Sequence, residues 1–385
     1  MKILHIINYF QPQIGYQETF LAKEQIKQGH EVSVITSDRY YPFVDFDKTY
    51  KNLLGDRICG SGFVNIDGIP IYRLKTLGEI KCRVWLLGLE QKVKELKPDY
   101  VHVHAVLANA FRMMKLKKKG MKFKLVVDEH IIELDRSKNL PAQFYNFFKK
   151  RKIQNYIKYV DKYVGAYRES CQILKNVYGV PDDRLEYIPL GADSSLFKFR
   201  EIDRANIRKK FKIPKDDILL VYTGKINEQK GIDTIIKAFN HLSSVNISLL
   251  FVGSVGKVFM VKLKNLIDPA KKEKVFFHGF VLNNNLPQYY SAADICVWGD
   301  GISISMLEAT SCGRPIVVCD LPPVKERIEY GNGLTYEFGN AIDLKKKLEY
   351  LIRNPKVRIQ MGKRGRQLVE DRFSWEKISE RFLSI

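Results

Sequence analysis

The chain has 385 residues, 45% hydrophobic and 28% charged, with only 14 prolines, which is enough apolar material for more than one packed core. That composition excludes global disorder, a collagen-like repeat or a single small module. Lysine and arginine number 64 against 43 acidic residues, a net charge of +21, and residues 101–160 alone hold 14 basic and 4 acidic side chains, so a local surface facing an anionic partner is expected.

The opening MKILHIINYF reads as a first buried strand over 3–7, because Gln11-Pro12-Gln13 interrupts it and no small-residue cleavage site follows. A helical stretch over 18–28 ends at Gly29, and HEVSVI (30–35) reads as a second strand, giving a βαβ unit. Strands are predicted over 69–74, 100–104, 125–128, 163–167 and 186–189, with helical patterns over 86–96 and 105–119 between them. The segment Pro189-Leu190-Gly191-Ala192-Asp193 and the charged run 199–212 mark a domain boundary. A second alternating series follows, with strands at 218–222, 247–251, 275–278, 295–298 and 315–319 and helices at 231–242 and 305–311. The last stretch, 357–385, is helical and contains Trp375. Two open, doubly wound, mostly parallel sheets are therefore expected.

No apolar run approaches the roughly 20 residues that cross a bilayer, so no transmembrane segment is expected. Six cysteines without a CxxC pair read as free thiols in a reducing cytosol. Among seven histidines only His102, His104 and His130 lie near one another in the chain, so no metal site is expected.

Ligands of open parallel sheets bind beyond the carboxyl ends of strands, which directs attention to the residues after each one. Gly224-Lys225-Ile226-Asn227-Glu228-Gln229-Lys230 follows the 218–222 strand and puts two ammonium groups at the start of a helix, a setting for a diphosphate. Position alone leaves open that both lysines are solvated loop charges. Asp300 to Glu308 follows another strand and enters a helix. Backbone amides near Ser303, Ile304 and Ser305 are placed for phosphate oxygens and Glu308 for ribose hydroxyls, while plain helix capping and a solvated Glu308 fit the same spacing. In the first half, Gly15-Tyr16 precedes a helix, and His104 and His130 stand at strand ends opening on one cleft.

These segments together resemble glycosyltransferase family 4, the retaining GT-B enzymes that use nucleotide sugars. The resemblance rests on IPLGAD (188–193), YTGKINEQKG (222–231), LLFVGSVG (249–256), FHGFV (277–281), YYSAADICVW (289–298) and ISMLEATSCGRPIVVCD (304–320), with GYQE, GHEVSVIT and HVHA in the first half. It implies a GT-B fold of class α/β: two facing Rossmann-like doubly wound domains with an interdomain cleft and a C-terminal helix crossing back. The expected domains are 1–197, on the acceptor side, 198–365, binding the nucleotide sugar, and 366–385, the returning helix.

The resemblance further implies that Lys225 and Lys230 contact the donor diphosphate, that Asp300 and Glu308 fill the two positions of the E-x7-E motif, that Ser303, Ile304 and Ser305 hold the phosphates, and that Gly15 and His104 contact the donor. Three residues depart from the pattern. Tyr16 replaces a second glycine, Lys225 an arginine and Asp300 a glutamate, so a carboxylate and two cations are kept with altered reach. The expected substrates are a UDP- or GDP-type nucleotide sugar and a glycan or lipid-linked acceptor in polysaccharide or glycolipid biosynthesis, with no metal. Aromatics interleaved with cations, among them Arg112, Lys115, Lys117 to Lys119 and Phe144 to Lys152, suggest peripheral association with anionic lipid on the cytoplasmic side. The rival readings are a non-catalytic sugar-nucleotide binding protein, a sugar-nucleotide epimerase and a basic nucleic-acid binder; the last lacks any recognised module.

Overall fold

The computed structural model describes the chain except residues 44–45, 81–82, 107, 134–139, 245 and 300. It divides into two compact units, Met1–Leu190 with Ile378–Ile385, and Gly191–Lys377.

The first unit contains strands β1 (Lys2–Ile6), β2 (Glu31–Ser37), β3 (Gly62–Ile66), β4 (Ile69–Leu74), β5 (Thr76–Ile80), β6 (Arg83–Leu86), β7 (Tyr100–His104), β8 (Lys124–Glu129), β9 (Lys162–Gly165) and β10 (Leu185–Tyr187). Eight of them form one sheet in the order β10-β9-β8-β7-β1-β2-β4-β3, parallel except for β3, which runs against β4 at the edge. Residues alternate faces along a strand. Leu4, Ile6, Val101, Val103, Leu125 and Val127 accordingly pack on one face with Met113 and Met114 of the Ala108–Lys118 helix. Three strands escape the pattern reading. In β3, Phe63 and Val64 are exposed, so the strand shows no buried side to alternate with, and β5 and β6 form a separate antiparallel hairpin over a stretch for which no element is predicted, reaching to the first residue of the helix predicted over 86–96. The observed helix begins at Leu89.

The second unit contains β11 (Ile218–Thr223), β12 (Ile247–Val252), β13 (Val275–His278), β14 (Ile295–Val297), β15 (Ile316–Cys319) and β16 (Gly333–Tyr336), all parallel, in the order β13-β12-β11-β14-β15-β16. All six residues of β12 are buried, as expected of a central parallel strand covered on both faces. The sequence reading finds the first five of these strands and passes over β16.

The division between units falls at Leu190/Gly191 and again at Lys377/Ile378, not at the expected 197/198 and 365/366. Backbone hydrogen bonds explain it: the Ala192 amide donates to Phe373 and the Trp375 amide to Ala192, at 2.8 and 3.2 Å, so the two passages of chain are zipped together within the second unit. A Cβ on Gly191 would lie 2.9 Å from the Phe373 carbonyl oxygen, so the close approach needs glycine. The charged run after residue 198 is not a linker but a helix, Glu201–Lys210, held by Arg204 and Arg208 on the Asp294 carboxylate. The Pro355–Leu368 helix stays with the second unit, and from Ile378 onward the Trp375–Ser384 helix belongs to the first. There the Tyr100 hydroxyl donates to the Phe382 carbonyl at 2.8 Å and Ser379 to Gln28 at 2.7 Å.

Among the described residues no helix is long and apolar enough to cross a membrane. Cys59, Cys171, Cys296, Cys312 and Cys319 are free thiols, and Cys82 lies outside the described residues.

Candidate functional site

In a doubly wound sheet, the neighbouring strands from which the chain leaves in opposite directions open a crevice beyond their carboxyl ends. In the second unit those strands are β11 and β14, and the loops that follow them are 224–231 and 298–304. The two loops meet through glycines. A Cβ on Gly299 would lie 2.3 Å from the Gly231 carbonyl oxygen, and one on Gly301 would lie 3.4 Å from the Lys230 ammonium nitrogen. Lys230 is thereby placed over the loop after β14.

Gly224 has φ of 135°, reachable at no cost only by glycine, and the Tyr222 hydroxyl fixes the next residue by donating to the Lys225 carbonyl at 2.7 Å. The Lys225 side chain reaches solvent, yet the protein around it pushes its ammonium below the ordinary lysine value. An anion bound beside such a group offsets the desolvation of its ammonium.

After β14, the Ser303 hydroxyl accepts the Ser305 amide at 3.2 Å, while the Ser303 and Ile304 amides have no acceptor among the described residues. Unsatisfied amides at the mouth of a helix are anion donors. Asp300 lies outside the described residues.

Glu308 is not a solvated surface carboxylate. It is 2% exposed, accepting from the Asn283 side-chain amide at 2.7 Å and the Tyr290 hydroxyl at 3.2 Å, and Tyr290 in turn pairs with the Thr223 hydroxyl at 2.8 Å. Burial outweighs these hydrogen bonds and raises its carboxyl to about 7. Asn283 and Tyr290 were not singled out from the sequence. Tyr290 stands inside the quoted YYSAAD segment, but nothing local marks Asn283, which is 25 residues from the carboxylate it supports.

A cavity of about 810 Å³ also exists in this unit, lined by Lys198, Phe199, Arg314, Arg358 and Arg366 among others. It lies before β14 and β15, at the opposite edge of the sheet. Arg314 and Arg366 are there committed to backbone carbonyls, which gives them a structural role.

In the first unit the corresponding strands are β1 and β7. Gly15, with φ of 78°, and the half-exposed Tyr16 precede the Gln17–Lys27 helix. Its first-turn Glu18 is buried, and burial pushes that carboxyl upward. His104 turns inward: its Nδ1 lies 3.0 Å from Asp128 Oδ2 and its Nε2 lies 3.0 Å from His5 Nδ1, with the side chain only 8% exposed. Each ring nitrogen thus has a neighbour within the unit. His130 is more open, at 40% side-chain exposure, with Nε2 3.5 Å from the same carboxylate oxygen. Burial lowers the His130 imidazole, but Asp128 outweighs it and the net shift is upward. Asp128 and His5, which join these groups, were not named as site residues from the sequence.

Two family profiles match the chain in succession: "Glycosyltransferase Family 4" over residues 19–196 and "Glycosyl transferases group 1" over 203–368. An uncharacterised glycosyltransferase of Methanocaldococcus jannaschii is 22% identical over 95% of this chain and 91% of its own length. The N-acetyl-alpha-D-glucosaminyl L-malate synthase of Bacillus anthracis is 21% identical, over 96% and 92%. Among solved structures, Anabaena HepE in complex with UDP superposes with a TM-score of 0.76 at 17% identity, covering 100% of this chain and 99% of that one. With both halves matched in order and two parallel α/β units observed, the chain belongs to glycosyltransferase family 4 and is a glycosyltransferase of the GT-B fold.

Proposed function

We propose that this glycosyltransferase moves a hexosyl group from a nucleoside-diphosphate sugar to a glycan or lipid-linked acceptor with retention of anomeric configuration. This reading is supported by the loops after β11 and β14: the first carries Lys225 and brings Lys230 to Gly301, and the second leaves the Ser303 and Ile304 amides without an acceptor among the described residues and leads into the helix of the buried Glu308. Lysines and amides suit the diphosphate, and Glu308 suits the ribose hydroxyls. Gly224 and Asp300 stand in those loops by sequence and Ser305 opens the helix after the second; the first unit is assigned to the acceptor side, with Gly15 and Tyr16 keeping the donor-binding role that the resemblance implies. That HepE structures hold UDP and UDP-glucose supports a nucleotide-sugar donor.

On this reading the departing phosphate gathers negative charge as the bond from the anomeric carbon to its oxygen breaks, and the two ammonium groups and the amides stabilise that charge. The acceptor hydroxyl bonds to the anomeric carbon on the same face and gives its proton to the departing phosphate oxygen. No carboxylate nucleophile or metal takes part in this step. Incubation with UDP-glucose, UDP-N-acetylglucosamine and GDP-mannose without acceptor, followed by time-resolved proton NMR, tests it. The first sugar released from an α-linked donor is expected to be the α anomer; the β anomer appearing first contradicts retention.

The acceptor reading includes an anionic membrane surface. On the Leu140–Tyr156 helix, Leu140, Phe144, Phe147 and Phe148 are 53–70% exposed, and Arg151 lies over the Phe147 ring. The basic set is smaller than the sequence suggests, because Lys149 is buried against Glu129 and Arg112 and Lys117 are paired with Glu90 and Asp161. Lys118, Lys119, Arg151 and Lys152 remain on the surface. At about 1 kcal/mol per basic residue, their attraction to anionic headgroups is salt-sensitive. Phe144→Ser with Phe148→Ser is expected to cut co-sedimentation with phosphatidylserine vesicles about tenfold at 50 mM salt. Equal sedimentation of variant and wild type overturns this docking face.

A further inference from the structure

The cavity of about 810 Å³ in the second unit falls within the roughly 300–1,000 Å³ of small-molecule sites. It lies at the amino ends of β14 and β15, whereas the donor loops follow the carboxyl ends of β11 and β14. The sequence builds it from three places: Lys198 and Phe199 before the Glu201–Lys210 helix, Arg314 and Pro315 directly before β15, and the Pro355–Leu368 helix, where the spacing of Ile359, Lys363 and Arg366 puts them on one face.

The charges around it do not cancel. Asp294 is the one acid among the described lining residues, and its Oδ1 accepts from Arg204 at 2.9 Å while its Oδ2 accepts from Arg208 at 2.6 Å and the Leu219 amide at 2.8 Å. Glu370 pairs with Arg366 at 2.6 Å. Among the described residues no carboxylate lies within ion-pair distance of Lys198, Arg314, Arg358 or Lys363.

Both of these arginines are held in place and keep N–H groups in hand. Arg314 donates through Nε to the Cys312 carbonyl at 3.2 Å and through Nη1 to the Ala293 carbonyl at 2.9 Å, with its Cζ 4.6 Å from the centre of the Phe199 ring. Arg358 donates through Nη1 to the Leu351 and Ile352 carbonyls at 3.0 and 3.4 Å. Nη2 of each, and Nε of Arg358, have no acceptor among the described residues. Burial lowers both guanidiniums from the ordinary arginine value, and an anion beside them offsets that desolvation. A fixed guanidinium with N–H groups to spare is a preorganised phosphate donor.

Two guanidiniums and two ammoniums exceed the charge of one phosphate group, about −1.5 to −2 at pH 7, and match that of two. Beside them Phe199 and Ile359, both exposed, and Pro315 offer an apolar wall to an organic body. We propose that this cavity is a second anion site, which binds a small organic molecule carrying two phosphate groups through Lys198, Arg314, Arg358 and Lys363. The site is independent of the donor reading, and its place at the other end of β14 lets its ligand and a nucleotide bind together.

Inorganic pyrophosphate is the probe, titrated by calorimetry at low salt into the full-length Lys225→Ala/Lys230→Ala protein, so that those two lysines contribute nothing. About one pyrophosphate per chain is expected, bound at least tenfold more tightly than inorganic phosphate. Adding Lys198→Glu and Lys363→Glu, which alter exposed side chains, is expected to weaken binding about tenfold or more. Adding Lys94→Glu and Lys346→Glu instead, the same change of net charge at exposed positions elsewhere, is expected to leave it unchanged. Should the cavity reversal fail to fold, Lys198→Gln with Lys363→Gln is expected to lose affinity in the same direction. Comparison within one background keeps the result separate from the fate of the donor reading. A folded protein that takes up no pyrophosphate, that holds phosphate as tightly, or that loses as much affinity with the distant pair as with the cavity pair overturns the proposal, as does a cavity pair that changes nothing.

Discussion

Replacing both Lys225 and Lys230 with alanine is expected to lower kcat by about 10⁴-fold, because each preorganised cation or donor at a developing oxyanion contributes roughly 10²–10³. The effect belongs to kcat more than to folding: Lys225 reaches solvent and neither lysine is part of the hydrophobic core. Lys225→Arg is expected to keep most of the activity. It retains the charge and adds bidentate geometry toward phosphate. A double alanine variant that turns over within tenfold of wild type contradicts the cradle, whatever its stability.

Glu308→Gln separates binding from stability. A charged hydrogen bond to a hydroxyl is worth about 1.5–3 kcal/mol, so loss of the carboxylate is expected to weaken nucleoside-diphosphate affinity about 10–100-fold, read by calorimetry at pH 8. The stability effect has the opposite sign. The carboxyl stands at about 7 in the folded chain against an ordinary 4.5, so the folded state holds this proton more tightly than the unfolded one. Its contribution is complete below pH 4.5 and is lost as pH rises through 7, a loss of roughly 3 kcal/mol for a shift of this size. Glutamine does not titrate, so the fall in stability between pH 5 and pH 8 is expected to shrink in the variant, as measured by denaturant unfolding of the second unit. An unchanged pH dependence means that Glu308 is not the titrating group.

The alternation of strands and helices was legible because parallel strands covered on both faces, such as ISLLFV in β12, are continuous apolar runs bounded by glycine and polar turns. The loops after β11 and β14 were legible from their place after strands and their lysines and hydroxyls; the structure adds that a Cβ on Gly224 meets the Tyr222 hydroxyl, one on Gly299 the Gly231 carbonyl and one on Gly301 the Lys230 ammonium. What stayed hidden depends on register and long-range pairing. His5 gives no local sign that it will stand opposite His102, and Asn283 none that it will support Glu308. Lys149 looked like part of a basic face, but Glu129, twenty residues upstream, takes its ammonium into a buried pair. His104 was read from its strand-end position, which fixes where its Cα lies but not which way its ring turns; Asp128 and His5 decide that.

The most direct test of the donor site is calorimetric titration of the full-length protein with UDP, GDP, ADP and CMP, wild type beside the Lys225→Ala/Lys230→Ala variant. The account predicts that one nucleoside diphosphate binds the wild type in the micromolar range, about −8 kcal/mol, and that the variant loses at least a hundredfold in affinity for it. Wild-type protein that binds none of the four, or a variant that binds as tightly as wild type, contradicts the claim that these two lysines hold a donor diphosphate.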